Sequence, residues 1–319
     1  MSPKYSFVLP AYKATFFREA IDSILNQTYT DYELIIVNDA SPEDLTSIIN
    51  SYQDNRIQYY INKKNVGGTD LVAQWNKSIT YAKGEYLILA SDDDVYHPEY
   101  LGKMDVLVNQ YPEVNIFRPR VQDIDSNGNI IGRIDYQTGV MSQEKFTSLL
   151  YARQLITGIP FYIFKRHSLN NIGGFVNFPL AWFSDDATAI KLSKNKIVVH
   201  DDVLFSFRQT GLNISCQKNN SLSLYAKLQA TELFYNWFAT ELESMTLDGN
   251  YRLPTASDLY FSKLGHMVWL ILSSDRKAIL LSCFLLKRIK TLKLSFRMIV
   301  LKEVLKDQLR SLTQFFLGQ

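Results

Sequence analysis

Residues 89–98 read LASDDDVYHP, and Asp92, Asp93 and Asp94 stand directly after an apolar run. Adjacent carboxylates repel and raise one another's pKa values unless a cation neutralises them. A hard divalent ion with oxygen ligands, Mn²⁺ or Mg²⁺, is the natural partner, held by one or two carboxylates together with substrate phosphates. The competing reading is a solvated loop before Pro98, or a helix start at which acids favour the positive dipole end. A second acidic pair, Asp185–Asp186, lies in WFSDDATAIKL. There Ser184 is a candidate cap, and a helix start is also able to carry a catalytic carboxylate. His97, His167, His200 and His266 form no metal-ligand spacing, and Cys216 and Cys283 fit no metal or redox motif. The cysteine usage points to a reducing cytosol rather than a disulfide framework.

The elements that must position these acids follow from periodicity. YSFVLPAY, YELIIVND, RIQYYIN and EYLILA read as strands. They alternate with helical patterns in FFREAIDSILNQ, SPEDLTSIINSY, TDLVAQWNKSITYAKG and PEYLGKMDVLVNQY. Ser41 and Thr69 are the expected caps of the second and third helices. Apolar strands without alternation, separated by helices, predict a mostly parallel sheet covered on both faces. Ligands of such sheets bind beyond the strands' carboxyl ends. The segments Pro10–Lys13, Asn38–Ser41, Asn62–Gly68 and Ser91–Asp94 are therefore expected to converge in one crevice. From 114 to 215 the pattern changes to a hairpin turning at Ser126–Asn129, a short helix in SQEKFTSLLYA, strands in GIPFYIFKR and KIVVHDDVLFSFR, and a helix in DDATAIKLSK. Residues 222–319 read as predominantly helical, with a break near DGNYRLP.

The chain has 319 residues and a formal net charge of +2, so overall charge says nothing about nucleic acid. The distribution is uneven. Between Arg276 and Arg310 ten Lys or Arg stand against Glu303 and Asp307 alone. Within that segment Leu285, Ile289, Leu292, Phe296 and Ile299 recur at spacings of four and three, and Lys287, Arg288, Lys290, Lys293 and Arg297 fall largely between them. An apolar stripe flanked by basic residues suits an anionic membrane surface; a helix packed on the body or an oligomer contact is the alternative. No stretch reaches the roughly 18 apolar residues of a spanning helix, and MSPKYSFVLP has no signal-peptide layout.

Taken in order, YSFVLPAYK, YELIIVNDAS, NVGG and AKGEYLILASDDDVYHPEYL resemble the motifs of family-2 glycosyltransferases with the GT-A fold. IGGF, SDDATAIKL and VLFSFRQTGLNIS resemble the acceptor half of that family, and the likeness covers roughly residues 4–215. The resemblance implies an inverting transfer from a nucleotide-diphospho-sugar, most often UDP-linked, to a saccharide or lipid-linked saccharide in surface polysaccharide assembly. It implies that Pro10, Ala11 and Tyr12 border the nucleoside and that Asp39 accepts a hydrogen bond from the base. Asn65 and Gly67 then form the loop beside the nucleotide. Asp92 and Asp93 approach the sugar nucleotide, and Asp94, with Asp92, holds the metal. Relatives often carry aspartate where this chain has Ser91, so the register of the triplet stays open by one residue. Asp186 is implied as the general base beside Asp185. Trp182 and Phe183 are placed against the acceptor sugar or in the core, and Gly173 and Gly174 in the acceptor loop. Arg208 matches an arginine near the diphosphate, although Thr210 replaces the histidine common two residues later.

The expected architecture is an α/β GT-A domain over 1–215, divided into a nucleotide-sugar half at 1–113 and an acceptor half at 114–215. A helical region over 216–319 follows. The expected setting is cytoplasmic, peripheral at the inner face of the plasma membrane. Two other readings remain. A nucleotidyltransferase that makes nucleotide sugars usually opens with a Gly-rich basic loop, and VLPAYKATFF has no glycine there. A catalytically inactive homologue would bind the nucleotide sugar without transferring it.

Overall fold

The computed structural model describes residues 2–133, 137–211, 219–245, 247 and 249–274. In chain order the strands and helices are β1 (Tyr5–Ala11), α1 (Phe17–Leu25), β2 (Tyr32–Asn38), α2 (Leu45–Asn50), β3 (Ile57–Ile61), α3 (Leu71–Ser78), β4 (Tyr86–Leu89), β5 (Val95–Tyr96), α4 (Tyr100–Gln110), β6 (Ile116–Ile124), β7 (Ile130–Arg133), β8 (Gly139–Met141), α5 (Gln143–Tyr151), β9 (Ile163–Lys165), α6 (Arg166–Asn171), α7 (Ser184–Leu192), β10 (Ile197–Arg208), α8 (Ser221–Glu243) and α9 (Ala256–Leu272). The main path of the sheet runs β3-β2-β1-β4-β9-β6-β10-β5, with β7 beside β6 and β8 beside β10.

The central strands are apolar at successive positions because both faces are covered. Phe7, Val8, Leu9, Leu34, Ile35, Ile36, Leu87 and Ile88 are all buried. Val8 lies opposite Ile35 on one side and Leu89 on the other, in parallel register. The β1, β2, β3 and β4 pairings are parallel, as are β6 and β10, whereas β9 is antiparallel to both β4 and β6. All the parallel strands β1, β2 and β4 therefore deliver their carboxyl ends to the same edge.

Helix starts differ from expectation where several polar residues compete. α2 is capped by Asp44, which accepts from the Ser47 N–H at 3.0 Å, while the Ser41 hydroxyl donates to the Tyr12 carbonyl at 2.6 Å. α3 is capped by Asp70 rather than Thr69, through the Ala73 N–H at 2.9 Å. Ser184 is the first residue of α7, not its cap; its hydroxyl accepts from the Phe178 N–H at 3.2 Å. GIPFYIFKR forms a 3₁₀ turn, Ile159–Phe161, before the short β9. α8 and α9 pack on each other, and Phe234, Tyr235 and Phe238 of α8 enter the same core as the sheet. The basic stripe at 276–310 and both cysteines lie outside the described residues.

Candidate active site

A cleft of about 1070 Å³ opens at the carboxyl ends of β1, β2 and β4. The part beside β1, β2 and β4 is assembled by carboxylates that bind neighbouring backbone. Asp92 Oδ2 accepts from the Tyr12 and Lys13 N–H groups, each at 2.9 Å, and so ties the loop after β4 to the loop after β1. Asp39 is buried; its Oδ1 accepts from Asn62 Nδ2 at 2.6 Å and from the Val66 N–H at 2.9 Å, and its Oδ2 from the Gly67 N–H at 2.7 Å. A Cβ on Gly67 would stand 3.0 Å from Asp39 Oδ2, so glycine is what lets the loop close on the carboxylate. Asn65 accepts from the Gly68 N–H at 2.6 Å. Pro10, Ala11, Tyr12, Asp39, Asn65, Gly67, Asp92 and Asp93 all line the cleft.

Asp94 does not line it. Its side chain turns into the body, buried to 1% exposure, where the Ser91 hydroxyl and the Arg208 N–H (2.8 Å) donate to it. Arg208 is buried as well: its Nε donates to the Asp93 carbonyl at 2.7 Å, its Nη2 to Glu19 at 2.5 Å, and its guanidinium lies 4.4 Å from the Phe16 ring centroid. The two residues expected at the metal and diphosphate thus hold the aspartate loop from behind. Asp94 thus finds its partners, the Ser91 hydroxyl and the Arg208 N–H, inside the protein. Burial pushes all three carboxyls up; Asp92 adds to the shift of Asp93, and Asp93 to that of Asp94. Among the described residues no three His, Cys, Asp or Glu side chains gather to hold a metal unaided. Two cleft-facing carboxylates with raised pKa values do suit Mn²⁺ or Mg²⁺ that takes its remaining oxygens from a diphosphate.

Another part of the cleft wall is built on the first turn of α7. Phe183 precedes it in a left-handed conformation, φ 69°, with its ring stacked on Phe234 at 4.4 Å, so Phe183 belongs chiefly to the core although it reaches the cleft wall. Asp185 and Asp186 both line the cleft. The Thr157 hydroxyl donates to Asp186 Oδ1, and Asp185 Oδ1 accepts the Asp186 N–H at 3.0 Å. Burial, then the charge of Asp186, pushes Asp185 up to about 7. Burial also raises Asp186, but the Thr157 bond and the Arg153 charge oppose this. The pair therefore carries its first negative charge on Asp186 and keeps a proton on Asp185 near neutrality.

Trp182 lines the cleft with Lys227 Nζ 4.3 Å from its ring centroid, and its ring lies at 17° to that of Trp269, 6.5 Å away. Gly173 and Gly174 stand apart from the cleft lining and form the turn after α6, with φ of 86° and 88°. A Cβ on Gly174 would meet Asn76 Oδ1 at 2.4 Å, and Asn76 in turn accepts from the Phe175 N–H at 2.8 Å. They aim the loop toward α7 without lining the cleft. Thr157, Arg153, His266 and Trp269 are cleft residues that sequence reasoning missed. His266 and Trp269 come from α9, some 80 residues past the acidic pair, and their one signal was a tryptophan three residues from a histidine in LGHMVWLIL.

A proton held on Asp185 costs stability as it leaves. The folded pKa lies above the unfolded value, so stability is full below about pH 4 and falls as pH rises toward 7. Asp185→Asn should remove that loss. Unfolding midpoints of variant and parent should coincide near pH 4, and at pH 8 the variant should be the more stable by about 1–2 kcal/mol, contact with cleft water reducing the full linkage value. Equal stability at both pH values would contradict a buried, protonated Asp185.

A family model described as glycosyl transferase family 2 matches residues 6–173. The chain belongs to glycosyl transferase family 2. Its described sheet and flanking helices form the GT-A architecture expected from the motifs. The chain is 26% identical over 277 residues to the GalNAc(5)-diNAcBac-PP-undecaprenol beta-1,3-glucosyltransferase of Campylobacter jejuni, covering 82% of this chain and 84% of that one. It is 29% identical over 169 residues to protein CgeD of Bacillus subtilis, covering 49% of this chain and 40% of that protein. The chain spans less than half the length of several curated relatives it matches. Among solved structures, S. aureus TarS 1-349 in complex with UDP-GlcNAc superposes with a TM-score of 0.61 at 15% identity, over 86% of this chain and 82% of that one. At that identity the likeness concerns the fold. The family 2 match ends before Asp185 and before α8 and α9, so the part of the cleft around Asp185 and Asp186 lies beyond it.

Proposed function

We propose that the chain transfers a sugar from a nucleotide-diphospho-sugar, with UDP as carrier, to a hydroxyl of a saccharide or lipid-linked saccharide, inverting the anomeric carbon. The observation that carries this reading is one cleft lined both by Asp92 and Asp93 and by Asp185 and Asp186. Its volume of about 1070 Å³ exceeds the usual range for a single ligand, which suits two substrates side by side. The names of the relatives support the chemistry: a glucosyltransferase named for a PP-undecaprenol acceptor, and a structure holding UDP-GlcNAc.

The roles follow from the contacts. Asp39 lines the cleft, its Oδ2 accepting the Gly67 N–H at 2.7 Å and sharing the Val66 N–H, at 3.1 Å, with Oδ1; the base N–H is assigned to this carboxylate, while Asn65 and Gly67 flank the ribose. Bound by Asp93 and Asp92 together with the diphosphate oxygens, Mn²⁺ or Mg²⁺ would neutralise charge on the leaving group. Asp186 takes the proton of the acceptor hydroxyl as its oxygen attacks C1; the C1–O bond to the diphosphate breaks with its electron pair passing to the leaving group. Trp182 and Trp269 supply apolar faces for the acceptor ring. A single displacement inverts configuration. We assign residues 1–215 to the catalytic body and propose that α9, packed on α8, walls the acceptor side through His266 and Trp269; the rest of the expected C-terminal region, from 275 on, lies outside the described residues.

Incubation with a panel of nucleotide sugars, with and without Mn²⁺, tests the assignment. Metal-dependent release of a nucleoside diphosphate supports sugar transfer. Release of pyrophosphate from a nucleoside triphosphate and a sugar phosphate would indicate the nucleotidyltransferase, and nucleotide binding without any release the inactive homologue.

The basic stripe at 276–310 supports docking on an anionic membrane surface; among the described residues no helix is long and apolar enough to cross a membrane. The full chain should co-sediment with phosphatidylglycerol vesicles and lose at least half of that binding when Lys287, Arg288, Lys290, Lys293 and Arg297 become Gln. Full co-sedimentation of the variant would count against it.

A further inference from the structure

We propose that Arg153 and His266 form a positioning pair that keeps the Asp186 carboxylate ionised, making α9 part of the catalytic apparatus; this rests on Asp186 being the base. Arg153 sits where a helix ends. The Arg153 N–H donates to the Leu150 carbonyl at 3.0 Å and the Gln154 N–H to the Leu149 carbonyl at 2.9 Å, the paired bonds of a Schellman turn. Its φ is 57°, the left-handed position that such turns normally give to glycine. An arginine there is strained by its own Cβ, so the local fold gains nothing from it. What it provides is a side chain on the cleft wall beside Asp186.

The guanidinium donates to Nε2 of His266 on α9. Arginine has no acceptor, so Nε2 must be the bare nitrogen and Nδ1 must carry the hydrogen. Nδ1 then donates to the Tyr235 hydroxyl of α8, 2.6 Å away. Burial and the Arg153 charge lower the His266 pKa to about 4, so this arrangement persists from mildly acidic to alkaline pH. α5, α7, α8 and α9 thus meet around one carboxylate. The groups that face Asp186 are Asp185, Arg153, Tyr235, His266 and Thr157; Arg153 supplies the positive charge that opposes burial. The same pair and Asp186 also form the wall between the main cleft and a cavity of about 280 Å³ lined by Phe234, Tyr235 and Phe238. Loss of the pair would leave the carboxylate less strongly ionised and the wall open.

The test is the pH profile of kcat/KM for UDP release from UDP-glucose and UDP-N-acetylglucosamine, in Arg153→Ala, His266→Ala, His266→Gln and Asp186→Asn. The base works deprotonated, so a raised Asp186 pKa moves the acid limb to higher pH. Arg153→Ala and His266→Ala should move it up by about 0.5–1 unit, a threefold to tenfold loss on the descending acid limb that shrinks to within about twofold on the alkaline plateau. His266→Gln, whose side-chain carbonyl accepts from Arg153, should restore the parent profile. An acid limb that stays in place in both Ala variants overturns the proposal, as does a loss equal at every pH or a Gln variant no better than Ala. UDP–Mn²⁺ thermal shifts, expected unchanged, identify any variant that has simply lost its fold, and Arg153→Ala then decides alone. Asp186→Asn separates the two claims: if it turns over as fast as the parent, the base assignment fails; if it is inactive while the limb stays fixed, only the positioning pair fails.

Discussion

Asp186→Asn is expected to lower kcat for sugar transfer by about 10²–10⁴, the range that positioned general bases contribute. Asparagine keeps the shape and the bond from Thr157, so the cleft stays intact, but the amide cannot take a proton from the acceptor. The Asp186 side chain bonds Thr157 and none of the residues assigned to the nucleotide, so the affinity for UDP should not change. Initial rates at saturating donor, alongside a thermal-shift titration with UDP and Mn²⁺, check both halves. Asp185→Asn should be far milder, because Asp185 already holds a proton near neutrality. A rate loss in Asp185→Asn equal to that in Asp186→Asn would assign the base to the pair as a unit rather than to Asp186.

Asp93→Asn should cost about 10²–10³ in kcat/KM and abolish the response to Mn²⁺, because it removes a carboxylate that faces the diphosphate end and replaces it with a neutral amide. The neighbouring aspartates should behave differently for structural reasons. Asp92→Asn keeps one oxygen to accept the Tyr12 and Lys13 N–H groups, so it should weaken nucleotide binding through the loop after β1 as well as through charge. Asp94→Asn should act on folding: a buried acceptor of the Arg208 N–H and the Ser91 hydroxyl gives way to a group with two hydrogens to place. Manganese titration of initial rates, with unfolding midpoints for each variant, separates these outcomes. A metal response that survives Asp93→Asn and disappears in Asp94→Asn without loss of stability would return the ion to Asp94.

The sheet was legible because β1, β2 and β4 are buried on both faces and so appear as unbroken apolar runs, and parallel strands then dictate where the crevice lies. The converging loops follow from that alone. Which aspartate of SDDDV faces the cleft was not legible. Three identical side chains in succession carry no mark of direction until the partners behind them, Arg208 and Glu19, are brought in by strands and helices distant in sequence. The caps misread at Ser41 and Thr69 have a similar origin, since in SPED and TD the residue that caps is chosen by where the backbone begins to coil. The contribution of α9 was hidden for another reason. His266 and Trp269 sit in a helix whose pattern indicates packing, and only the docking of that helix on α8, beside Trp182 and Phe183, turns two of its residues toward the cleft. Arg153 is the opposite case: its oddity lies in a backbone angle, which no side-chain pattern records.

A crystal structure of the protein with UDP and Mn²⁺ bears most directly on the proposed catalytic arrangement. The account predicts the uracil against Asp39, the ribose beside Asn65 and Gly67, the ion between Asp93 and the diphosphate, and the terminal phosphate directed along the cleft toward Asp186. Nucleotide bound outside this cleft, or an ion held by residues other than Asp92 and Asp93, would contradict it.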